Sequence, residues 1–296
     1  MLNIRKSIMR PAAVMLSAVM LVGSSFVSGN NIDSATETEG TTYIKHYYNS
    51  NKPDEEYTLE PIEYGEFDNV NTRALADDPR PNADPTTSLV NITGIGTGFI
   101  IGENEIMTAA HCIYNVEHSE YAVINYLRIS NENPQNSYIS LTPVSCHFMK
   151  SYKTGGEDAK DIAIITVEED LTDYGILDLG VSTNDIVASN NPLHALGFLE
   201  DTLKISEGTH ANYDYDVLNF NKYLYSSNYA TYGTSGGPLY TITKINGNQY
   251  IEVIGVVSKV VNLVDVNSGQ LIASYTSSEK VNSEVLQFAF SNSYLN

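Results

Sequence analysis

Three short segments carry side chains that could do chemistry together. Thr108-Ala109-Ala110-His111-Cys112 follows an apolar run and offers an imidazole. Asp161-Ile162-Ala163-Ile164-Ile165 opens a second apolar run with a carboxylate. Gly233-Thr234-Ser235-Gly236-Gly237-Pro238 holds one serine in a glycine-rich turn. A serine hydroxyl is a weak nucleophile near neutral pH, and a neighbouring imidazole can take its proton as it attacks. A buried carboxylate accepting the other ring N–H supplies the right tautomer and orientation. The tetrahedral intermediate then needs N–H donors for its oxyanion, each worth about 3 kcal/mol. Gly233 and Ser235 are the natural donors. Glycines around the serine let the backbone adopt positive φ and approach a substrate closely. The expected chemistry is acyl transfer by a triad of His111, Asp161 and Ser235. It requires no cofactor.

Each segment alone has a structural explanation. A histidine after a strand is often a surface residue, an aspartate before Ile-Ala-Ile-Ile caps a strand end, and a glycine-rich serine turn is often only a turn. The three together, in the order His, Asp, Ser and at intervals of 50 and 74 residues, are hard to explain that way. An esterase on an α/β-hydrolase sheet would show the order Ser, Asp, His, which is the reverse. A catalytically silent protein that binds peptides or host proteins has no need of all three residues.

Other residue types give weaker signals. His46 lies in an acidic N-terminal stretch, and His118, His147, His194 and His210 lack metal-ligand spacing; His210 suits the rim of a site. Two cysteines are too few for a soft-metal centre, so no metal is expected. Gly94-Ile95-Gly96-Thr97-Gly98 lacks the Lys-Ser/Thr pair and following helix of a phosphate loop. Tyr213, Tyr215, Tyr223, Tyr225, Tyr229 and Tyr232 cluster before the serine, where they suit either a substrate cleft or plain packing.

The elements that must position the triad read as short strands. Apolar runs broken by Gly, Asn, Pro and Asp predict strands over Ser88–Thr93, Thr97–Ile101, Glu105–Thr108, Tyr121–Ile129, Tyr138–Pro143 and Ile162–Val167. Further strands are predicted over Pro192–Gly197, Pro238–Ile242, Gln249–Val257 and Leu271–Tyr275. Many short strands at this spacing argue for a barrel or sandwich. One helix closes the chain over Asn282–Phe290, with Asn282 or Ser283 as its N-cap.

The first 29 residues have the build of a secretory signal. Arg5, Lys6 and Arg10 precede an apolar stretch from Ala12 to Val22, and small residues follow at Gly23, Ser24, Ser25, Ser28 and Gly29. The apolar stretch is short for a membrane span of about 30 Å. Residues 30–80 set twelve acidic side chains against Lys45, Lys52, Arg73 and Arg80 and show poor apolar periodicity. They read as an acidic propeptide, which leaves 81–296 as the working domain. The whole chain of 296 residues carries a formal charge of −20, which repels nucleic acid and anionic membranes alike. In a secreted chain Cys112 and Cys146 could form one disulfide, and sequence leaves that bridge open.

These segments resemble the chymotrypsin-like serine peptidases over about residues 88 to 291. The resemblance lies in Gly96-Thr97-Gly98-Phe99-Ile100-Ile101, the His111 and Asp161 segments, and Gly233 to Pro238. Ala195-Leu196-Gly197-Phe198 and Val257-Ser258 add to it. It implies an all-β fold of two six-stranded antiparallel β-barrels, about 88–183 and 184–281, with the triad in the cleft between them and a C-terminal helix at 282–291. It also implies a secreted serine endopeptidase, a zymogen opened by an activating protease, acting as a monomer on polypeptide substrates. The secretory leader, scarce cysteines and the ending Val281-Asn282-Ser283-Glu284-Val285 are similar to the bacterial glutamyl endopeptidase branch. Two features depart from the family. Thr234 stands where trypsin-type members place an Asp that pairs with the freed N-terminus. Ala230 and Val257 stand where glutamyl enzymes read a substrate carboxylate. Ala230, Val257, Ser258 and Lys259 are the expected substrate-binding positions, with Lys259 able to attract an acidic side chain.

Overall fold

The computed structural model describes residues 4–9, 40–49, 51–60, 85–93, 95–124, 127–130, 138–156, 159–180, 192–199, 202–210, 222–245, 248–265 and 267–292. The core of the expected leader, Ala12 to Gly29, lies outside these residues. So do residues 61–84 of the acidic segment, Gly94, Tyr213 and Tyr215.

The architecture is the expected all-β pair of barrels with a closing helix. The first sheet runs Tyr138–Leu141, Leu127–Ser130, Leu89–Ile92, Gly96–Ile100, Glu105–Thr108, Ala163–Val167, Pro143–Met149, Thr41–Tyr47, Glu55–Leu59. The second runs Thr202–Gly208, Leu193–Leu199, Pro238–Ile245, Asn248–Asp265, Leu271–Lys280, Tyr223–Ser226, with Ile4–Met9 and Asp178–Leu179 pairing on Asn248–Asp265. Every residue of Gly96–Ile100, Glu105–Thr108 and Ala163–Val167 is buried, the polar Thr97, Glu105, Thr108 and Thr166 included. One cluster including Ile92, Ile106, Phe148 and Ile165 fills the first barrel. Another, with Phe99, Met107, Phe198, Val256 and Phe288, joins both sheets and the helix Ser283–Asn292. Asn282 caps that helix, its Oδ1 accepting from Val285 N–H at 3.1 Å. Among the described residues no helix is long and apolar enough to cross a membrane.

The first sheet exceeds six strands because part of the acidic N-terminal segment joins it. Thr41–Tyr47 pairs with Pro143–Met149, and Glu55–Leu59 pairs with Thr41–Tyr47. Sequence reading places no strand here, because acidic side chains dominate the outer strand. Tyr43 and Ile44 are nevertheless buried. Tyr43 stacks on Phe288 of the closing helix with ring centroids 4.4 Å apart. The exposed edge is held by polar contacts, with Lys150 on Glu56 at 2.7 Å and Tyr121 Oη donating to Asp54 at 2.6 Å.

Candidate active site

The antiparallel pairing of Ala163 with Thr108 brings the residues just before one strand beside those just after the other. Asp161 and His111 therefore meet across a gap of 50 residues. His111 sits in the one-turn helix Ala110–Cys112. Its Nδ1–H donates to Asp161 Oδ2 at 2.7 Å, and its main-chain N–H donates to Asp161 Oδ1 at 2.8 Å. Both carboxylate oxygens are thus used on one residue, which fixes ring position and tautomer together. Burial alone would push the Asp161 carboxyl up. The facing imidazole and hydrogen bonds from His111 and Ser258 outweigh it and hold Asp161 well below the usual carboxylate range. Burial likewise disfavours the His111 imidazolium, but Asp161 reverses the balance and raises its pKa well above the usual value.

The nucleophile turn is shaped by close backbone approaches. Gly233 and Gly236 have φ of 89° and 84°. A Cβ on Gly236 would meet Thr97 and Thr108, so only glycine fits there. Gly236 N–H donates to Val257 C=O at 2.7 Å and Val257 N–H to Gly237 C=O at 2.9 Å, which ties the turn to the following strand. Thr234 N–H is taken by Thr231 C=O at 3.1 Å. Among the described residues the N–H groups of Gly233 and Ser235 meet no protein acceptor. Two free donors on either side of an engaged one are what an oxyanion site needs.

Thr234, the departure noted in sequence, caps its own turn. Its hydroxyl donates to Thr231 C=O at 2.7 Å and accepts from Thr231 N–H at 3.0 Å. The turn thus has a local anchor that does not involve a freed N-terminus.

Ser235 is buried, and its Oγ donates to Ser258 C=O at 3.4 Å. His111 Nε2 has no hydrogen-bond partner among the described residues. The hydroxyl therefore rests on a carbonyl rather than on the base. Catalytic hydrogen bonds are often loose without substrate, and rotation about Ser235 χ1 is the motion that would exchange one acceptor for the other.

The substrate-binding expectations divide. Ala230 and Val257 line a cavity of about 150 Å3 beside the nucleophile turn, together with Ala195, Leu196, Lys204 and Thr234. Ile205 and Tyr229, 62% and 70% exposed, also line it. Ser258 points elsewhere. A register shift between Val257 and Lys259 turns its side chain inward, and its Oγ donates to Asp161 Oδ2 at 2.7 Å. Lys259 lies over the Tyr223 ring at 4.4 Å and donates to its hydroxyl at 3.3 Å, so the cation on the cavity is Lys204. Sequence reasoning missed Lys204, whose place follows from its pairing with Gly197. It also missed Thr97, whose Oγ1 donates to Gly233 C=O at 2.7 Å and accepts from Phe198 N–H at 2.8 Å.

The remaining candidates fall outside the site. His46 stacks on Tyr121 and pairs with Asp54. His147 is buried, with Nδ1 3.1 Å from the Tyr57 hydroxyl. His194 stacks on Tyr240, and His210 bridges to Ser226. Tyr225 is fully buried, whereas Tyr232 is exposed near the serine. Both cysteines are free and buried. The described residues hold no cluster of metal-ligating side chains.

Comparison with known proteins identifies the family and the fold. The family described as trypsin-like peptidase domain matches residues 96–244, a span that contains His111, Asp161 and Ser235. A solved structure of a Glu endopeptidase in complex with MPD superposes with a TM-score of 0.52 at 16% identity, covering 73% of this chain and 94% of that one. At that identity the likeness speaks for the fold. No curated protein matches the chain.

Proposed function

Because the chain belongs to the trypsin-like peptidase domain family and is a serine endopeptidase, we propose that it cleaves polypeptides through His111, Asp161 and Ser235. The observation that carries this assignment is the double grip of Asp161 on His111, 2.7 and 2.8 Å, which leaves Nε2 unpartnered. Ser258 ties this pair to the nucleophile, with its hydroxyl on Asp161 and its carbonyl under Ser235 Oγ. His111 takes the Ser235 proton as Oγ attacks the peptide carbonyl. Gly233 and Ser235 N–H groups hold the oxyanion. His111 then gives its proton to the departing amine, and water, activated by the same imidazole, hydrolyses the acyl-enzyme.

For substrate preference, the cavity beside the turn has apolar walls and one cation, Lys204. That combination suits a side chain with an aliphatic stem and an acidic tip, such as glutamate, and rejects Lys or Arg. The leader directs the chain out of the cell. Within the acidic segment, the Thr41–Leu59 hairpin supplies two sheet strands and covers core residues. It therefore stays with the processed enzyme, and activation removes chain on either side of it.

A fluorophosphonate probe tests the triad. It should label processed protein once, at Ser235, and should not label Ser235→Ala. Processed, folded protein that takes no label would be a silent binder of peptides, and the proposal would fall.

A further inference from the structure

Behind Asp161 lies a second carboxylate that the triad does not use. Glu279 belongs to the Leu271–Lys280 strand, paired with Val256 on one side and Tyr223 on the other. It is only 1% exposed. Neither of its oxygens completes a hydrogen bond of normal geometry among the described residues. The Asp161 main-chain N–H lies close enough to favour the ionised form. A carboxylate buried this deeply, without a firm partner, is strongly disfavoured as an anion. Its presence between the two barrels therefore calls for a reason.

The groups facing Glu279 come from several elements. Lys160 and Asp161 approach from the segment before Ala163–Val167, and Lys222 approaches from the residue before Tyr223–Ser226. Each lysine also makes a contact elsewhere. Lys160 reaches Glu284 of the closing helix at 4.0 Å, and Lys222 donates to the Ala159 carbonyl. Lys280, next on the same strand, is pulled down by its own burial and by Lys160. Tyr223, across the strand pair, engages Lys259. Burial pushes the Glu279 carboxyl up to about 7, with Asp161 adding to the rise and the two lysines opposing it. Two neighbouring buried carboxylates do not readily ionise together. Asp161 keeps its charge because His111 and Ser258 hold it, so the proton of the pair resides on Glu279 in the acid range.

We propose that Glu279 is a positioning residue that acts through Asp161, its charge state setting how tightly the His111–Asp161 pair holds a proton. This rests on the peptidase assignment of those residues. Below neutrality Glu279 is neutral, and Asp161 alone faces the imidazole. As pH rises a second negative charge appears behind Asp161. It stabilises the imidazolium, delays formation of the neutral base, and moves the acid limb of activity upward. The same charge favours His111 as it receives the Ser235 proton.

The decisive measurement follows His111 itself by NMR titration of the full chain carrying Ser235→Ala, with and without Glu279→Gln. The His111 pKa should fall by about 1 unit in the double variant. In chain with Ser235 intact, the acid limb of kcat/KM should move down by a similar amount, and Glu279→Asp should restore most of it. An unmoved His111 titration in folded Glu279→Gln protein overturns the proposal. If Glu279→Gln does not fold, the Glu279 carboxyl resonance in the Ser235→Ala chain decides. A midpoint near neutrality that also shifts His111 supports the proposal, and a midpoint in the ordinary carboxylate range sinks it. Absence of labelling at Ser235 would defeat the peptidase assignment, while the His111 titration would still report on Glu279.

Discussion

Replacing Thr97 by valine tests whether one buried hydroxyl holds the nucleophile turn in place. Thr97 is fully buried in the first sheet. Its Oγ1 serves Gly233 C=O at 2.7 Å and Phe198 N–H at 2.8 Å, one in the nucleophile turn and one in the second sheet. Valine keeps the shape and removes the hydroxyl, leaving both partners in a dry interface. A stranded buried polar group costs about 1–3 kcal/mol. Both partners here are neutral, which favours the lower half of that range, so the pair should cost about 3 kcal/mol. For a chain of this size that lowers Tm by about 6–12 °C. Thr97→Ser keeps the hydroxyl and loses one buried methyl, about 1 kcal/mol. The expected order of melting is Thr, then Ser, then Val. Calorimetry on the Ser235→Ala background measures it without self-cleavage. A second readout is the fluorophosphonate labelling rate in chain with Ser235 intact. Freed from Thr97, the Gly233 carbonyl no longer anchors the turn, and the N–H groups of Gly233 and Ser235 that flank this peptide lose their fixed aim, so labelling should slow by about tenfold or more. A valine variant that melts at or above the serine variant refutes the reasoning, as does an unchanged labelling rate.

Three further outcomes are expected. Burial, with Lys45 adding to it, lowers the His147 pKa to about 3. His147 thus favours folding fully above the unfolded pKa of 6.5, and the advantage is lost as pH falls from there toward 3, at up to about 1.4 kcal/mol per unit. Urea midpoints at pH 7 and pH 5 should differ less in His147→Gln than in the parent; an equal loss would assign the acid sensitivity to other groups. Lys204→Met should lower kcat/KM for peptides with glutamate at the cleaved position about tenfold relative to leucine, read by mass spectrometry of a peptide library; an unchanged ratio removes Lys204 from recognition. Intact-mass analysis of active enzyme should find residues 41–59 still bound. Tyr43→Ala should destabilise it by about 3 kcal/mol, and full activity without those residues would show that the hairpin is dispensable.

The proposed site was legible in the chain because each of its three segments carries its own local requirement. A nucleophile turn needs glycines where φ is positive, and Gly233 and Gly236 meet that need. His111 and Asp161 flank apolar runs that become fully buried strands. The closing helix also announced itself through Asn282 and its apolar stripe. Strands at the sheet margins did not. Thr202–Gly208 offers only Leu203 and Ile205 among Lys, Ser and Glu, and Thr41–Tyr47 with Glu55–Leu59 sits in an acidic stretch, so the apolar signal is thin. What only the tertiary structure decided is which residues support the triad. Ser258 turns onto Asp161 because a register shift beside it re-aims the strand. Thr97 reaches Gly233 across 136 residues, and Thr41 meets Glu284 across 243. Glu279 looks like any strand glutamate until two barrels close over it. Residue type and local spacing encode what a side chain can do, while long-range packing decides which groups share a dry, low-dielectric space and so alter one another.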